Sequence, residues 1–304
     1  MSACGWLAFL AMCLVWGIPY LFIKIAVGEG LAPVVVAWGR VTIAALLLVP
    51  VAWRAGQLGP LLPRWRAVVA FAVVEIVVPF PLLAAGEQRV SSSLAAVLIA
   101  TVPLLIAVGS FFFDPAERVG RGQAVGLLVG FLGVVLLLGI DAAGRPAELV
   151  GAAMIFGTAT GYASGPLVVR RYLADLAPLG PAAAALATSA ILLTPPALVS
   201  LPAEGASTSA VAAVVVLGVV CSAIAFLLFF FLIAEVGAPR ASVMTYIHPV
   251  VALVLGVLFL GEGVRPSTLA ALLLILSGSW LATRRRPATT PGRPAGAASE
   301  SGVA

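Results

Sequence analysis

Three ionisable side chains sit inside long apolar runs: Arg40 in AWGRVTIAALLL, Glu75 in VVEIVVPFP and His248 in TYIHPVVA. On insertion scales such a group costs about 2.5 to 3.5 kcal/mol at the centre of a bilayer, so each calls for a partner or a watery cavity. If the runs carrying Arg40 and Glu75 cross the membrane in opposite directions, the two residues differ in depth by only ~5 Å at a rise of 1.5 Å per residue. A bridge between them is feasible. Three readings stand open: the pair merely neutralises itself, it binds substrate or couples protons, or the two residues are placed without relation to each other. His248 precedes Pro249, which lacks a backbone donor and can open a helix locally. A lone histidine is either a satisfied interior residue or a proton relay or ligand contact. As the chain's only histidine, it cannot build a multi-histidine metal site.

Aromatic residues form a second group: Trp16 and Tyr20 in VWGIPYLFIK, Tyr162 in TGYASGP, and Tyr246. Core packing or interfacial anchoring explains such residues. Lining of a pathway through broken helices explains them as well, because Gly17, Pro19, Gly165 and Pro166 lie beside them. Pro19, Pro79, Pro81, Pro103, Pro166 and Pro249 are the candidate break points, and carbonyls freed near Pro79 and Pro81 lie close to Glu75. The candidate substrate-pathway residues are therefore Trp16, Tyr20, Arg40, Glu75, Tyr162, Tyr246 and His248. Cys4, Cys13 and Cys221 have no paired spacing, so neither a disulfide framework nor a metal site is indicated.

The elements that hold these residues are set by composition. With 62% hydrophobic residues, 10% charged residues and a mean hydropathy of +1.17, the chain cannot keep the surface of a soluble globule wet. A hydrocarbon core needs roughly 20 apolar residues per helix. Ten runs of about that size occur, at 5–26, 33–53, 67–86, 93–113, 122–140, 150–169, 179–201, 210–234, 241–260 and 267–283. They lack the period-two alternation of an outer-membrane barrel. The first run has no basic residues ahead of it and reads as a retained helix, not a secretory signal. Gly126, Gly130 and Gly133 form a stripe spaced for close helix contact, within a protomer or between two.

The ten runs are two copies of five. Shifted by 146 residues, Trp16 falls on Tyr162, Lys24 on Arg170, Pro50 on Pro196 and Pro103 on Pro249. After the paired prolines the offset slips by one, and Glu117 falls on Glu262 and Gly133 on Gly278. With a cytoplasmic N-terminus the inner joints and tail receive Arg54, Arg64, Arg66, Arg118, Arg121, Arg170, Arg171, Arg240, Arg284, Arg285, Arg286 and Arg293. The outer joints receive only Lys24, Arg89, Arg145 and Arg265. This asymmetry satisfies the positive-inside rule and places both termini in the cytoplasm. Five is odd, so the second copy enters from the opposite face and the repeats are inverted. Lys24 and Arg170 then sit at opposite faces as snorkelling anchors. The tail, residues 284–304, reads as disordered and cytoplasmic.

The stretch WGIPYLFIK, Arg40 in the second run and PRASVMTYIHPVVALVLGVLFLGEG in the ninth resemble the EamA-type repeats of the drug/metabolite transporter superfamily. The likeness covers about residues 5 to 283. It implies an all-α integral membrane fold of ten transmembrane helices, built as two inverted five-helix repeats over residues 5–140 and 150–283. It also implies an interior cavity and export of amino acids, other small metabolites or drugs.

The expected function is therefore that of a secondary transporter in the plasma or inner membrane, working by alternating access. Its partners are a small-molecule substrate, the bilayer and, under one reading, protons or a second copy in a homodimer. No cofactor is called for, since GxxxxGK followed by Ser or Thr is absent and ATP does not power it directly. Nucleic acid is not a partner, because the net charge of +5 follows membrane sidedness. An intramembrane enzyme is the weaker rival: there is no HExxH, and the one histidine has no acidic neighbour in its own run. A receptor or scaffold would explain helices and sidedness but not the duplication.

Overall fold

Water does not reach the backbone inside a bilayer, so every crossing must satisfy its own N–H and C=O groups, which these runs do as helices. The computed structural model describes residues 2–113, 121–141, 145–236 and 242–283. Among them there is no strand. Among the described residues nine helical stretches are long and apolar enough to cross a membrane: Cys4–Gly28, Pro33–Arg54, Gly59–Glu87, Ser92–Gly109, Arg121–Gly139, Pro146–Tyr172, Leu179–Leu198, Thr208–Glu235 and Pro266–Thr283. A shorter apolar helix, Met244–Leu260, occupies the place of the ninth run. The chain is thus a multi-pass, helical membrane protein. Arg118, Arg240, the Asp114 to Glu117 joint and the tail from Arg284 lie outside the described residues.

Helix starts coincide with residues that have a reason to be there. Pro19, Pro33, Pro79 and Pro146 each open a helix, where a missing N–H costs nothing. Ser2, Ser91 and Ser207 cap others by accepting from the N–H of Gly5, Leu94 and Ala210 at 3.0, 3.1 and 3.1 Å. Gly261, at φ 64°, ends the helix His248–Leu260, and Glu262 N–H returns to the Gly256 carbonyl at 3.1 Å.

Several crossings are interrupted, and two of the interruptions recur at the repeat distance. In the third, α4 (Trp65–Ala72) passes through a π-helical segment, Val73–Val77, into α5 (Pro79–Glu87). In the eighth, α11 (Thr208–Gly218) passes through a π-helical segment, Val219–Ile224, into α12 (Ala225–Val236). Val219 lies 146 residues after Val73. In the fourth, α6 (Ser92–Ile99) stops at Ala100 and Thr101 before α7 (Val102–Phe113). At the place of the ninth apolar run, the 3-10 turn Ser242–Tyr246 precedes α13 (His248–Leu260). Pro103 and Pro249, again 146 apart, are the second residues of α7 and α13. Side chains absorb some of the freed carbonyls: Ser222 Oγ donates to Leu217 O at 2.9 Å and Thr101 Oγ1 to Leu98 O at 2.6 Å.

The first and sixth crossings differ. α1 (Ala3–Val15) breaks before α2 (Pro19–Gly28), whereas α9 (Pro146–Tyr172) runs without interruption through Pro166. The expected break at Pro166 is therefore not made. Gly17 supplies part of the reason, because a Cβ there would lie 2.5 Å from Val251 Cγ1. Its repeat mate Ala163 carries that Cβ, and Pro166 falls on Tyr20, not on Pro19. Neighbouring helices allow a membrane helix to tolerate such a proline.

Repeat mates pack on one another. α3 (Pro33–Arg54) lies along α10 (Leu179–Leu198), and α6 lies on α13. The glycine stripe of α8 (Arg121–Leu136) meets α14 (Pro266–Thr283) within the chain: a Cβ on Gly278 would lie 2.6 Å from Gly126 O. Backbones approach this closely only when both faces lack side chains. α5 packs on α9 in the same manner, with Gly161 set against the Val74 carbonyl and Pro79.

Candidate functional site

Arg40 lies within α3, with 8% of its surface exposed. Its Nε donates to Ser222 Oγ at 2.8 Å, and its Nη2 reaches the Cys221 carbonyl at 3.5 Å. Both partners belong to the π-helical segment of the eighth crossing. Phe80 of α5 covers the guanidinium, with Cζ 4.3 Å from the ring centroid, a cation–π arrangement. Tyr162 of α9 meets Phe80 edge-on at 6.3 Å.

The bridge between Arg40 and Glu75 that matched depth made feasible is not formed. Glu75 turns toward α9, where its carboxylate lies against Gly165, and its Oε2 is buried without a hydrogen-bond partner. Matched depth presupposes that the third crossing is one regular helix. A π-helical turn holds more residues than an α turn and rotates the side chains beyond it. Phe80 thereby reaches the place opposite Arg40.

A different carboxylate lies within electrostatic reach of Arg40. Glu87, at the end of α5, is 0% exposed, and neither of its carboxylate oxygens has a hydrogen-bond partner. Arg40, Lys24 and Glu262 are the charges that act on it, and it lies within electrostatic reach of Tyr20 and Tyr162. Lys24 does not snorkel: its Nζ donates to the backbone carbonyls of Glu87 and Val90 at 2.5 and 2.7 Å. A cation at a helix C-terminus is favoured by the unpaired carbonyls there. Glu262 does the reverse at the start of α6, accepting from Ser92 N, Ser93 N and Ser93 Oγ at 2.7, 3.0 and 2.6 Å. The turn between α5 and α6 is thus held by a cation on one side and an anion on the other.

Trp16 and His248 meet away from this polar centre. The Trp16 ring lies 5.6 Å from His248, 4.9 Å from Phe229 and 6.5 Å from Phe226. His248 is 8% exposed, and its Nε2 has no partner. Phe226 stands one helical turn beyond Ser222, so the eighth crossing connects the Arg40 contact to the aromatic cluster. Tyr246 joins neither group; its hydroxyl pairs with Thr283 Oγ1 at 2.9 Å at the end of α14.

The structure therefore places Tyr20 and Tyr162 within electrostatic reach of Arg40, sets Trp16 on His248, leaves Glu75 within reach of Tyr162 but not paired with Arg40, and separates Tyr246 from both groups. Glu87, Phe80, Cys221 and Ser222 were not read from the sequence. Glu87 falls in a joint when the third run is ended at residue 86. For the eighth-crossing residues the signal was present, since a shift of 146 carries Glu75 to Cys221 and Ile76 to Ser222.

At one end of the bundle Arg64 forms a bidentate pair with Asp175, with Nη2 to Oδ2 at 2.8 Å, and donates to Tyr172 O at 3.1 Å. The Arg64 guanidinium holds the Asp175 carboxyl below the ordinary aspartate range.

A family model described as the EamA-like transporter family matches residues 3–139 and again 149–284. An uncharacterized transporter of Archaeoglobus fulgidus is 26% identical over 92% of this chain and 99% of its own length. The inner membrane transporter YedA of Escherichia coli K12 is 30% identical over 84% of this chain and 82% of its own. A protein of Streptantibioticus cattleyicolor named "Probable terminal-alkyne amino-acid exporter" is 30% identical over 84% of this chain and 86% of its own. A crystal structure with 22% identity shares the fold at a TM-score of 0.66, over 93% of this chain and 98% of that one.

Proposed function

Because this chain belongs to the EamA-like transporter family, we propose that it exports small metabolites such as amino acids across the inner membrane, by rocking two inverted five-helix halves. The halves are residues 5–140 and 150–283, with ten crossings in all and both termini in the cytoplasm. The observation that carries this reading is the recurrence of interruptions at the repeat distance, the π-helical segments beginning at Val73 and Val219 and the breaks before Pro103 and Pro249. Broken crossings at matched places in two halves mark the site in transporters of this architecture. Arg40 and Tyr162 lie beside those segments.

Contacts between joints support the sidedness. Arg64 with Asp175, Gln57 with Gly180, Ser2 with Glu235 and Tyr246 with Thr283 each join places that alternation puts inside. Gly151 against Arg89, and Glu262 on Ser92 and Ser93, join places that it puts outside. Tyr246 and Glu262 flank α13, which supports that helix as a full crossing despite its length. The amino-acid substrate is supported by the name of the Streptantibioticus relative.

Counterflow of radiolabelled amino acids in proteoliposomes tests the reading, with and without an imposed proton gradient. Saturable, preload-dependent exchange of at least one amino acid is expected, and response to the gradient reports proton participation. No exchange for any of the twenty removes amino acids as the substrate class. Tags reporting the two termini on opposite sides remove the inverted architecture.

A further inference from the structure

We propose that Arg40 anchors a carboxylate group of the transported solute, so that the substrate class is small monocarboxylates carrying an apolar tail. This rests on the transporter reading above. A guanidinium is charged at every accessible pH and presents five N–H donors. Arg40 uses one well, on Ser222 Oγ, and one weakly, on the Cys221 carbonyl. Its other N–H groups have no acceptor among the described residues, and no carboxylate there lies within ion-pair distance of it. Glu75 is turned against Gly165, and Glu87 acts on Arg40 only through space.

A buried cation in a membrane requires compensation, and a neutral hydroxyl and a ring face supply part of it. A solute anion supplies the rest in the planar geometry that the guanidinium fork prefers. The charge count selects a monoanion. Lys24 is the other cation acting in this neighbourhood, and its Nζ is already committed to two backbone carbonyls. The Arg40 guanidinium therefore balances one negative charge, and a dianionic phosphate would bring a second without a partner. The tail is selected by the aromatic surroundings: Phe80 over the guanidinium with Tyr162 edge-on to it, and Phe226 a helical turn along the eighth crossing, against which Trp16 packs.

The test is calorimetric titration of the full-length protein in nanodiscs with paired probes: butyrate, hexanoate, L-leucine and L-phenylalanine, each against its own amide. At least one acid binds, and its amide binds roughly tenfold to a hundredfold more weakly, as expected for loss of a charge-assisted pair. Arg40→Gln lowers the affinity of the acid to that of the amide and leaves the amide unchanged; Arg40→Lys falls between. Inorganic phosphate does not displace the acid. Equal binding of acid and amide, retention of the preference in Arg40→Gln, displacement by phosphate, or binding of no acid in the series each overturns the proposal. The acid–amide comparison uses the unaltered protein, so it decides even if Arg40→Gln does not fold. Binding of an acid without its movement in proteoliposomes defeats the transport reading and leaves this one. Flux without acid preference does the opposite.

Discussion

Replacing Gly278 by alanine tests how the two halves are held together. A Cβ at this position would press closest on Gly130 N and lie 2.6 Å from both Gly126 O and Gly130 Cα, all backbone atoms that cannot swing aside. Ordinary contact begins near 3.4 Å, so α8 and α14 must part by roughly 1.1 Å along this seam. In lipid no hydrophobic gain draws helices together, and the packing lost is not recovered elsewhere. Overpacking of this kind costs about 1 to 3 kcal/mol, which corresponds to a fall in melting temperature of roughly 2 to 10 °C. Cys13 and Cys221 are buried free thiols, so a thiol-reactive fluorogenic dye reports unfolding in detergent, with exposed Cys4 as a constant background. Gly28→Ala is the control, since nothing lies within 4 Å of a Cβ there, and its melting temperature should be unchanged or slightly raised. An unchanged melting temperature in Gly278→Ala, with the control behaving as stated, would refute the close seam.

Other changes read the remaining devices. Glu262→Ala leaves the N–H groups of Ser92 and Ser93 unpaired, and a loss of about 1 to 3 kcal/mol should appear as a lower melting temperature in the same dye assay. Glu262→Gln should recover part of that loss. Lys24→Met strips the partner from the Glu87 and Val90 carbonyls and should destabilise by the same assay, whereas a merely snorkelling lysine would tolerate it. The Arg64–Asp175 pair gives a pH signature. Asp175 titrates below its unfolded value of about 3.9, so its contribution is complete above that pH and vanishes as pH falls through the lowered folded value. The melting-temperature difference between the unaltered protein and Asp175→Asn should stay constant from pH 8 to about 5 and shrink below about pH 4. A difference that shrinks already between pH 8 and 6 would refute the assignment.

Crossings were legible because they depend on a sum over many residues. Runs read at 33–53 and 179–201 correspond to helices Pro33–Arg54 and Leu179–Leu198, since an unsatisfied backbone in lipid leaves the chain no alternative to a helix. The duplication was equally visible, and it located the matched interruptions before Pro103 and Pro249. The Gly126, Gly130 and Gly133 stripe declared a close contact, though only the folded chain showed that α14 supplies the other face.

Direction around a helix axis was not legible. Arg40 and Glu75 looked like partners at matched depth, yet the π-helical segment turned Glu75 onto Gly165 and set Phe80 over the guanidinium. Lys24 and Glu262 looked like joint residues, but each ends on the backbone of the turn after α5. By itself the sequence determined solvent, crossings and repeat, because burial in lipid is read from composition and length. Only tertiary structure decided which buried charges meet. One inserted residue in a helical turn rotates every side chain after it, and a partner drawn from another crossing leaves no trace in local spacing.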